Sequence, residues 1–351
     1  MTRLIALLTI LALPLAAAPA FCTIYVVRSD GSGDFPTIQA AINAVTDGDI
    51  IELADGTFTG PGNRDIGWGS NMITVRSQSD NPLACIIDCQ GSAGDPHHGF
   101  SCGNEEANQS LLRGVTVRNG YAVYGGGFLM NEAVRIEHCV FTGNTAERGG
   151  AVAGMGPVGT GMITDCVMTG NHATIDGGAI YWSMADANVT SCLFAENSAA
   201  GRGGALFCGG STSVLDFTNC TFAGNSAPQG GGICVDEIAL TLANSIIAFS
   251  TQGEALYCAY ASTLQLTCCD IFGNAGGDWV GCIAGFAGTG ANFSENPLFC
   301  NALNPACPYC LQDGSPCVNR PGCGLVGALG VGCTGTLVEP TTWGRIKAAH
   351  R

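Results

Sequence analysis

Apolar and polar positions in the middle of the chain repeat as a block. Cys139-Val140-Phe141-Thr142-Gly143-Asn144 recurs as Cys166-Val167-Met168-Thr169-Gly170-Asn171, as Cys192-Leu193-Phe194-Ala195-Glu196-Asn197 and as Cys220-Thr221-Phe222-Ala223-Gly224-Asn225. The asparagines step by 27, 26 and 28 residues. Between them runs a second motif: Gly149-Gly150-Ala151-Val152, Gly177-Gly178-Ala179-Ile180, Gly203-Gly204-Ala205-Leu206 and Gly230-Gly231-Gly232-Ile233. Within each block the cysteine and the large apolar residue are two apart, so an extended strand puts both on one face. Short strands separated by glycines leave no room for a helix in the repeat.

Such a unit cannot bury its apolar face alone, but stacked copies can. Each strand then bonds in parallel to its equivalent one coil away, at about 4.8 Å. The period is too short for a propeller blade of roughly 40 residues. The pattern therefore predicts an all-β fold, a right-handed parallel β-helix. Cys139, Cys166, Cys192 and Cys220 should form one inward column, with Phe141, Met168, Phe194 and Phe222 in another. The asparagines should stack in a turn, their amides bonding to one another and to backbone. A degenerate copy spans Asn244 to Phe249, Cys269 to Asn274 restores the pattern, and Gly114 to Asn119 reads as an earlier coil.

An open solenoid end exposes core and strand edge, so caps are required. Ile38, Ala41, Ile42 and Val45 give one apolar helical face within Thr37 to Val45, with Asp34 as N-cap and Pro36 in the first turn. Ile50 to Leu53 then read as the first strand. Upstream, Met1-Thr2-Arg3, the apolar run Leu4 to Leu13 and Ala18-Pro19-Ala20 read as a secretory signal peptide. The predicted organisation is a signal peptide over 1–20 and an N-terminal cap helix with first coil over 21–60. Repeats follow over 61–290, then a Cys-rich C-terminal cap over 291–336 and a tail over 337–351. No later apolar run reaches membrane length, so no transmembrane segment is expected.

All 20 cysteines lie beyond the predicted signal, which suits an oxidising compartment and a secreted or cell-surface location. The repeat cysteines read as small buried apolar residues. Cys300, Cys307, Cys310, Cys317, Cys323 and Cys333 instead lie among prolines, asparagines and glycines, and read as a disulfide-stapled cap of undetermined connectivity. Zinc at Cys307, Cys310, Cys317 and Cys323 is the competing arrangement, set aside because the chain reads as secreted. No metal site is assigned and no cofactor is expected, with calcium left open. The formal charge is −15, with 13 Lys or Arg against 28 Asp or Glu. Nucleic acid is excluded as a partner, since phosphate binding needs a basic surface. Polyanionic glycans should be repelled unless a cation bridges them.

Repeat alignment brings three groups of side chains together. Arg148, Asp176 and Arg202 each precede their Gly-Gly pair and should stack on neighbouring coils, either as an ion-pair ladder or as a carboxylate between two guanidiniums at a sugar site. His138 and Asp165 precede Cys139 and Cys166 and should be neighbours in an outward column, as a solvated pair or an acid–base pair. Tyr181, Phe207 and Tyr257 occupy equivalent places; facing outward they form a platform for sugar rings, facing inward they are core.

On these residues the chain resembles two groups. Asp30 to Phe58 is similar to the N-terminal cap of the pectin-lyase-like superfamily. The GGA(I/V/L) and FxxN motifs resemble repeats of the chlamydial polymorphic outer membrane proteins, which are adhesin-like. Together these cover roughly Asp30 to Asn274, and the chain departs from the latter group in having only about 60 residues after Gly290, too few for that group's C-terminal barrel. The resemblance implies a secreted or surface-displayed protein that binds glycans or another surface without catalysis. The alternatives are a polysaccharide lyase or glycoside hydrolase and a structural envelope protein. Against the enzyme, Gly56-Thr57-Phe58-Thr59-Gly60 lacks the acidic residue that pectin methylesterases carry there, no Asp-Asp pair occurs, and His98-Gly99 and Arg345-Ile346-Lys347 read as chance fragments. Candidate partners are a polysaccharide or cell-surface glycan, with a sorting or envelope partner for the basic tail.

Overall fold

The computed structural model describes residues 22–103, 110–131, 134–156, 160–184, 186–210 and 213–334. The predicted signal peptide and the tail lie outside them. The described chain winds as a parallel β-solenoid. A ten-stranded sheet runs from Ile24–Val27 through Ile50–Leu53 to Thr263–Thr267, and a nine-stranded sheet from Gly56–Phe58 to Asp270–Phe272. An eight-stranded sheet runs from Ile66–Gly67 to Leu256–Cys258. A four-stranded sheet of Tyr121–Tyr124, Thr145–Arg148, His172–Asp176 and Ser198–Ala199 bridges the last two along the middle coils.

The predicted columns are the core. Phe141 pairs with Met168, Met168 with Phe194 and Phe194 with Phe222, all fully buried. Cys139, Cys166, Cys192 and Cys220 line the neighbouring column as buried thiols without disulfides. Their sulfurs bond to backbone, as Cys166 Sγ does to the Thr164 carbonyl at 3.2 Å. Burial holds the Cys139 and Cys166 thiols well above their ordinary pKa and pushes Cys220 up to about 12, so these three carry no reactive thiolate.

The asparagine column is a closed ladder. Asn144, Asn171 and Asn197 each donate from Nδ2 to the next Oδ1, ending at Asn225, at 3.1, 3.0 and 3.1 Å. Each Oδ1 also accepts the preceding asparagine's backbone N–H. In the next coil Ser250 takes the place, its hydroxyl buried without a partner, and Asn274 resumes the pattern. The Gly-Gly motif has two separate causes. The first glycine is left-handed, with φ of 67, 70, 67 and 65° at Gly149, Gly177, Gly203 and Gly230. The second lies against the next coil: a Cβ on Gly178 would stand 2.0 Å from the Gly204 carbonyl oxygen.

At the N-terminal end Ile38, Ala41, Ile42 and Val45 close the core as expected. The helix is only Ile38–Ile42, and its N-cap is Thr37, whose hydroxyl accepts the Ala40 N–H at 3.2 Å. Asp34 instead accepts the Val26 N–H at 2.7 Å, because the edge strand Ile24–Val27, and not Ile50–Leu53, comes first in the sheet. At the other end the 3-10 helix Gly281–Phe286 plugs the solenoid with fully buried Ile283, tied to the last coil by Cys258–Cys282.

The Cys-rich segment then folds back over the outer face of the nine-stranded sheet. Phe293, Phe299, Leu311, Cys317 and Val326 pack there on Ala223, Ile246 and Ala248. Its staples differ from a set closed on itself. Cys300 pairs with Cys333 and Cys307 with Cys310, but Cys323 pairs with Cys268, and Cys317 is a buried free thiol. Cys268 occupies the outward corner position just before buried Cys269, so it can reach across to the covering segment. Cys317 instead donates to the buried Asp270 carboxylate at 3.2 Å. No group of three or more His, Cys, Asp or Glu side chains among the described residues is arranged to hold a metal ion.

Candidate functional site

The corner leading into the eight-stranded sheet carries the chemistry. Tyr124, Arg148, Asp176, Arg202 and Gln229 follow one another in register there, one per coil. Each occupies the position before the left-handed turn, so its side chain leaves the solenoid beside the outer face of the sheet.

The three charged residues do not form an even ladder. Asp176 commits both oxygens to Arg202: Oδ1 accepts the Arg202 backbone N–H at 2.9 Å and Nε–H at 3.2 Å, while Oδ2 accepts Nη2–H at 3.1 Å. Arg202 adds a contact to Asp236 at 3.3 Å. Burial opposes the guanidinium charge but the Asp176 bonds outweigh it, so the Arg202 pKa lies above its ordinary value. Arg148 turns the other way, donating to the Tyr124 hydroxyl at 3.3 Å. Its guanidinium carbon lies 5.9 Å from the Tyr124 ring centroid and 5.7 Å from that of Tyr181. The carboxylate between two guanidiniums is therefore replaced by one ion pair and one guanidinium held by aromatic rings.

The aromatic row faces outward but is partly roofed. Ile180 and Trp182 point into the core, so Tyr181 between them points out. Tyr181 stacks on Phe207 with centroids 5.3 Å apart and planes at 11°. Phe207 is only 4% exposed because Arg202 lies over it at 4.4 Å. In the next coil the same position is Cys234, fully buried, with its thiol pushed up to about 12 by burial. Tyr257 comes one coil later in register, separated from the other two rings. Tyr124, which sequence reasoning missed, extends the row instead: it lies 6.2 Å from Tyr181. Its signal was present, since it aligns with Arg148 one period earlier.

His138 and Asp165 sit elsewhere, at the corner between the ten- and nine-stranded sheets. Both are left-handed, at φ 51 and 52°, in one column with Ser191, Asn219, Asn244 and Cys268. No hydrogen bond or ion pair joins them. Their place is conformational, since short polar residues tolerate that backbone best and the same bend recurs in every coil.

A second cluster escaped sequence reasoning. Toward the N-terminus of the corner leading into the eight-stranded sheet, His97 Nδ1 lies 2.5 Å from Asp65 Oδ2 and Nε2 lies 3.2 Å from Asp95 Oδ1. His98 Nδ1 is 3.3 Å from Asp65 Oδ1, and its Nε2 is buried without a partner. Burial holds the His98 pKa below its ordinary value. Asp65 and the histidines are 32 and 33 residues apart and outside the regular repeat, so no spacing rule links them.

Residues 165–181, 191–209 and 219–236 match the Chlamydia polymorphic membrane protein repeat. These coils carry polymorphic membrane protein repeats. Each matched stretch runs from the left-handed corner through the asparagine column and the Gly-Gly turn, so the repeats hold Asp176, Tyr181, Arg202 and Phe207. No curated protein sequence matches the chain. Among solved structures, a pectin methylesterase from Aspergillus niger is similar at 14% identity and a TM-score of 0.36, over 74% of this chain and 87% of that one. At that level nothing about activity passes from it to this chain. No described helix is long and apolar enough to cross a membrane.

Proposed function

We propose that the protein is a secreted or surface-displayed, non-catalytic binding protein that meets glycans or another surface along the Tyr124–Arg202 corner, in the manner of an adhesin. The observation that carries this reading is the continuous patch of Tyr124, Arg148, Tyr181, Phe207 and Arg202, which spans four adjacent coils of a rigid scaffold. Tyrosine and arginine give large contact area with polar tips, the combination that concentrates binding energy at recognition surfaces. The four disulfides suit an oxidising compartment outside the cytoplasm.

The Asp65–His97–Asp95 relay favours a polysaccharide-cleaving enzyme as the second reading, since paired carboxylate and imidazole groups serve general acid–base chemistry. Its geometry supports the first reading better. Both His97 ring nitrogens face carboxylates and His98 Nε2 is buried, so neither imidazole offers a nitrogen to a substrate. A glycan array run beside a polysaccharide degradation panel separates the readings. Binding without products is expected; product formation supports the enzyme, and neither signal favours a purely structural role.

A further inference from the structure

Three described guanidiniums lie over aromatic rings: Arg148, Arg202 and Arg320. Arg202 is paired with Asp176 and Asp236, and Arg320 with Glu295. Among the described residues Arg148 has no carboxylate partner. The candidate in register with it, Asp176, is only 4% exposed and already accepts three N–H bonds from Arg202. Arg148 is nonetheless held in place, by the Tyr124 hydroxyl and by two rings that themselves approach to 6.2 Å. Beside it in the sheet the position in register with Tyr181 and Phe207 is the small residue Ala153, fully buried.

A fixed, half-buried guanidinium with unspent N–H donors matches a planar carboxylate, which it can grip with two parallel bonds. Immobilisation between rings means little side-chain freedom is lost when it binds. The rest of the molecule sets the size of that charge. A chain of net charge −15 repels a polyanion along its whole length, and the neighbouring carboxylates Asp176 and Asp236 flank the same corner. One guanidinium in such a field recognises one carboxylate.

We infer that Arg148, clamped by Tyr124 and Tyr181, is the subsite for a single acidic sugar, recognised by its carboxylate within an otherwise neutral glycan. This rests on the glycan-binding reading above and narrows it. The tyrosine hydroxyls then serve the sugar hydroxyls beside the carboxylate.

The test uses the full protein and matched oligosaccharides that differ in one sugar, carrying either the carboxylate or the corresponding primary alcohol, with a polyuronate as third probe. The parent should bind the acidic member at least tenfold tighter than the alcohol, and tighter than the polyuronate per chain. The preference should shrink between 0.05 and 0.5 M salt, as about a threefold shorter screening length demands. Arg148→Gln should bind both members equally. Tyr124→Phe, which removes only the hydroxyl that holds the guanidinium, should lose part of the preference and keeps the test alive if Arg148→Gln fails to fold. Equal binding of both members by the parent, or a preference that survives Arg148→Gln, overturns this subsite but leaves glycan binding standing. Binding of neither member nor any other glycan overturns both.

Discussion

Asn171 Nδ2 donates to Asn197 Oδ1 at 3.0 Å, and neither side chain is exposed to solvent. The same Asn171 amide also reaches the Phe141 carbonyl, and its Oδ1 accepts two N–H groups from Asn144, so one side chain joins three coils. Asn171→Ala would leave buried donors and acceptors unmatched, each worth about 1 to 3 kcal/mol. The variant should lower the thermal midpoint of the repeats by several degrees, measured by circular dichroism. An unchanged midpoint would mean that backbone pairing alone holds the coils.

Gly178 and Gly170 make a paired prediction about the turns. A Cβ on Gly178 meets the next coil's carbonyl at 2.0 Å, whereas Gly170 has open space but a φ of 63°. Gly170→Ala should therefore cost only the left-handed penalty of about 1 to 2 kcal/mol. Gly178→Ala must push two coils apart, and should cost far more or abolish the folded state. Chemical denaturation of the two variants compares them directly, and similar midpoints would refute the assigned causes.

Asp270 gives the account a pH signature. Burial raises its carboxyl to about 7 from an ordinary 3.8, against the Glu295 N–H and Cys317 bonds that lower it. The folded state thus holds a proton that the unfolded chain releases near pH 4, so the Asp270 contribution to stability is fully present below that value and is lost as pH rises through 7. The loss should amount to a few kcal/mol. Asp270→Asn should flatten the slope between pH 4 and 7, read as thermal midpoint against pH. Parent and Asp270→Asn with the same slope over that window would contradict the assignment.

Reduction should act on one side of the molecule. Cys268–Cys323 and Cys300–Cys333 pin the C-terminal segment over the nine-stranded sheet, and Tyr309 adds a bond to Glu196 at 2.7 Å. The repeat column Cys139, Cys166, Cys192 and Cys220 depends on no disulfide. A dithiol reductant should expose the segment from Cys300 to Cys333 to protease while the repeats keep their circular dichroism signal. Peptide mapping after alkylation checks the pairing; Cys317 linked to another cysteine would contradict it.

The solenoid was legible because stacking turns a period into columns: Cys166 and Asn171 announce their neighbours a coil away. Features that break the period were not. Cys268 and Cys323 meet only because the C-terminal segment folds back, and Asp65 and His97 meet across an irregular corner. Arg148, Asp176 and Arg202 were placed correctly in one column, yet their partners differed. Alignment fixes which backbone positions are adjacent, while rotamers decide that Asp176 turns to Arg202 and Arg148 to Tyr124. The Thr37 cap was missed for a similar reason, since Asp34 was taken up by an edge strand that the pattern of Ile24–Val27 did not reveal.

Calorimetry on the parent and on Tyr181→Ala tests most directly the proposal that this corner binds a glycan without cleaving it. With a glycan chosen from the array, the parent should show saturable binding and return the glycan intact by mass spectrometry. Tyr181→Ala should bind about threefold to tenfold more weakly, the range expected for one aromatic contact, with the fold retained by circular dichroism. Equal affinity in the folded variant, or cleavage of the glycan by the parent, would contradict the account.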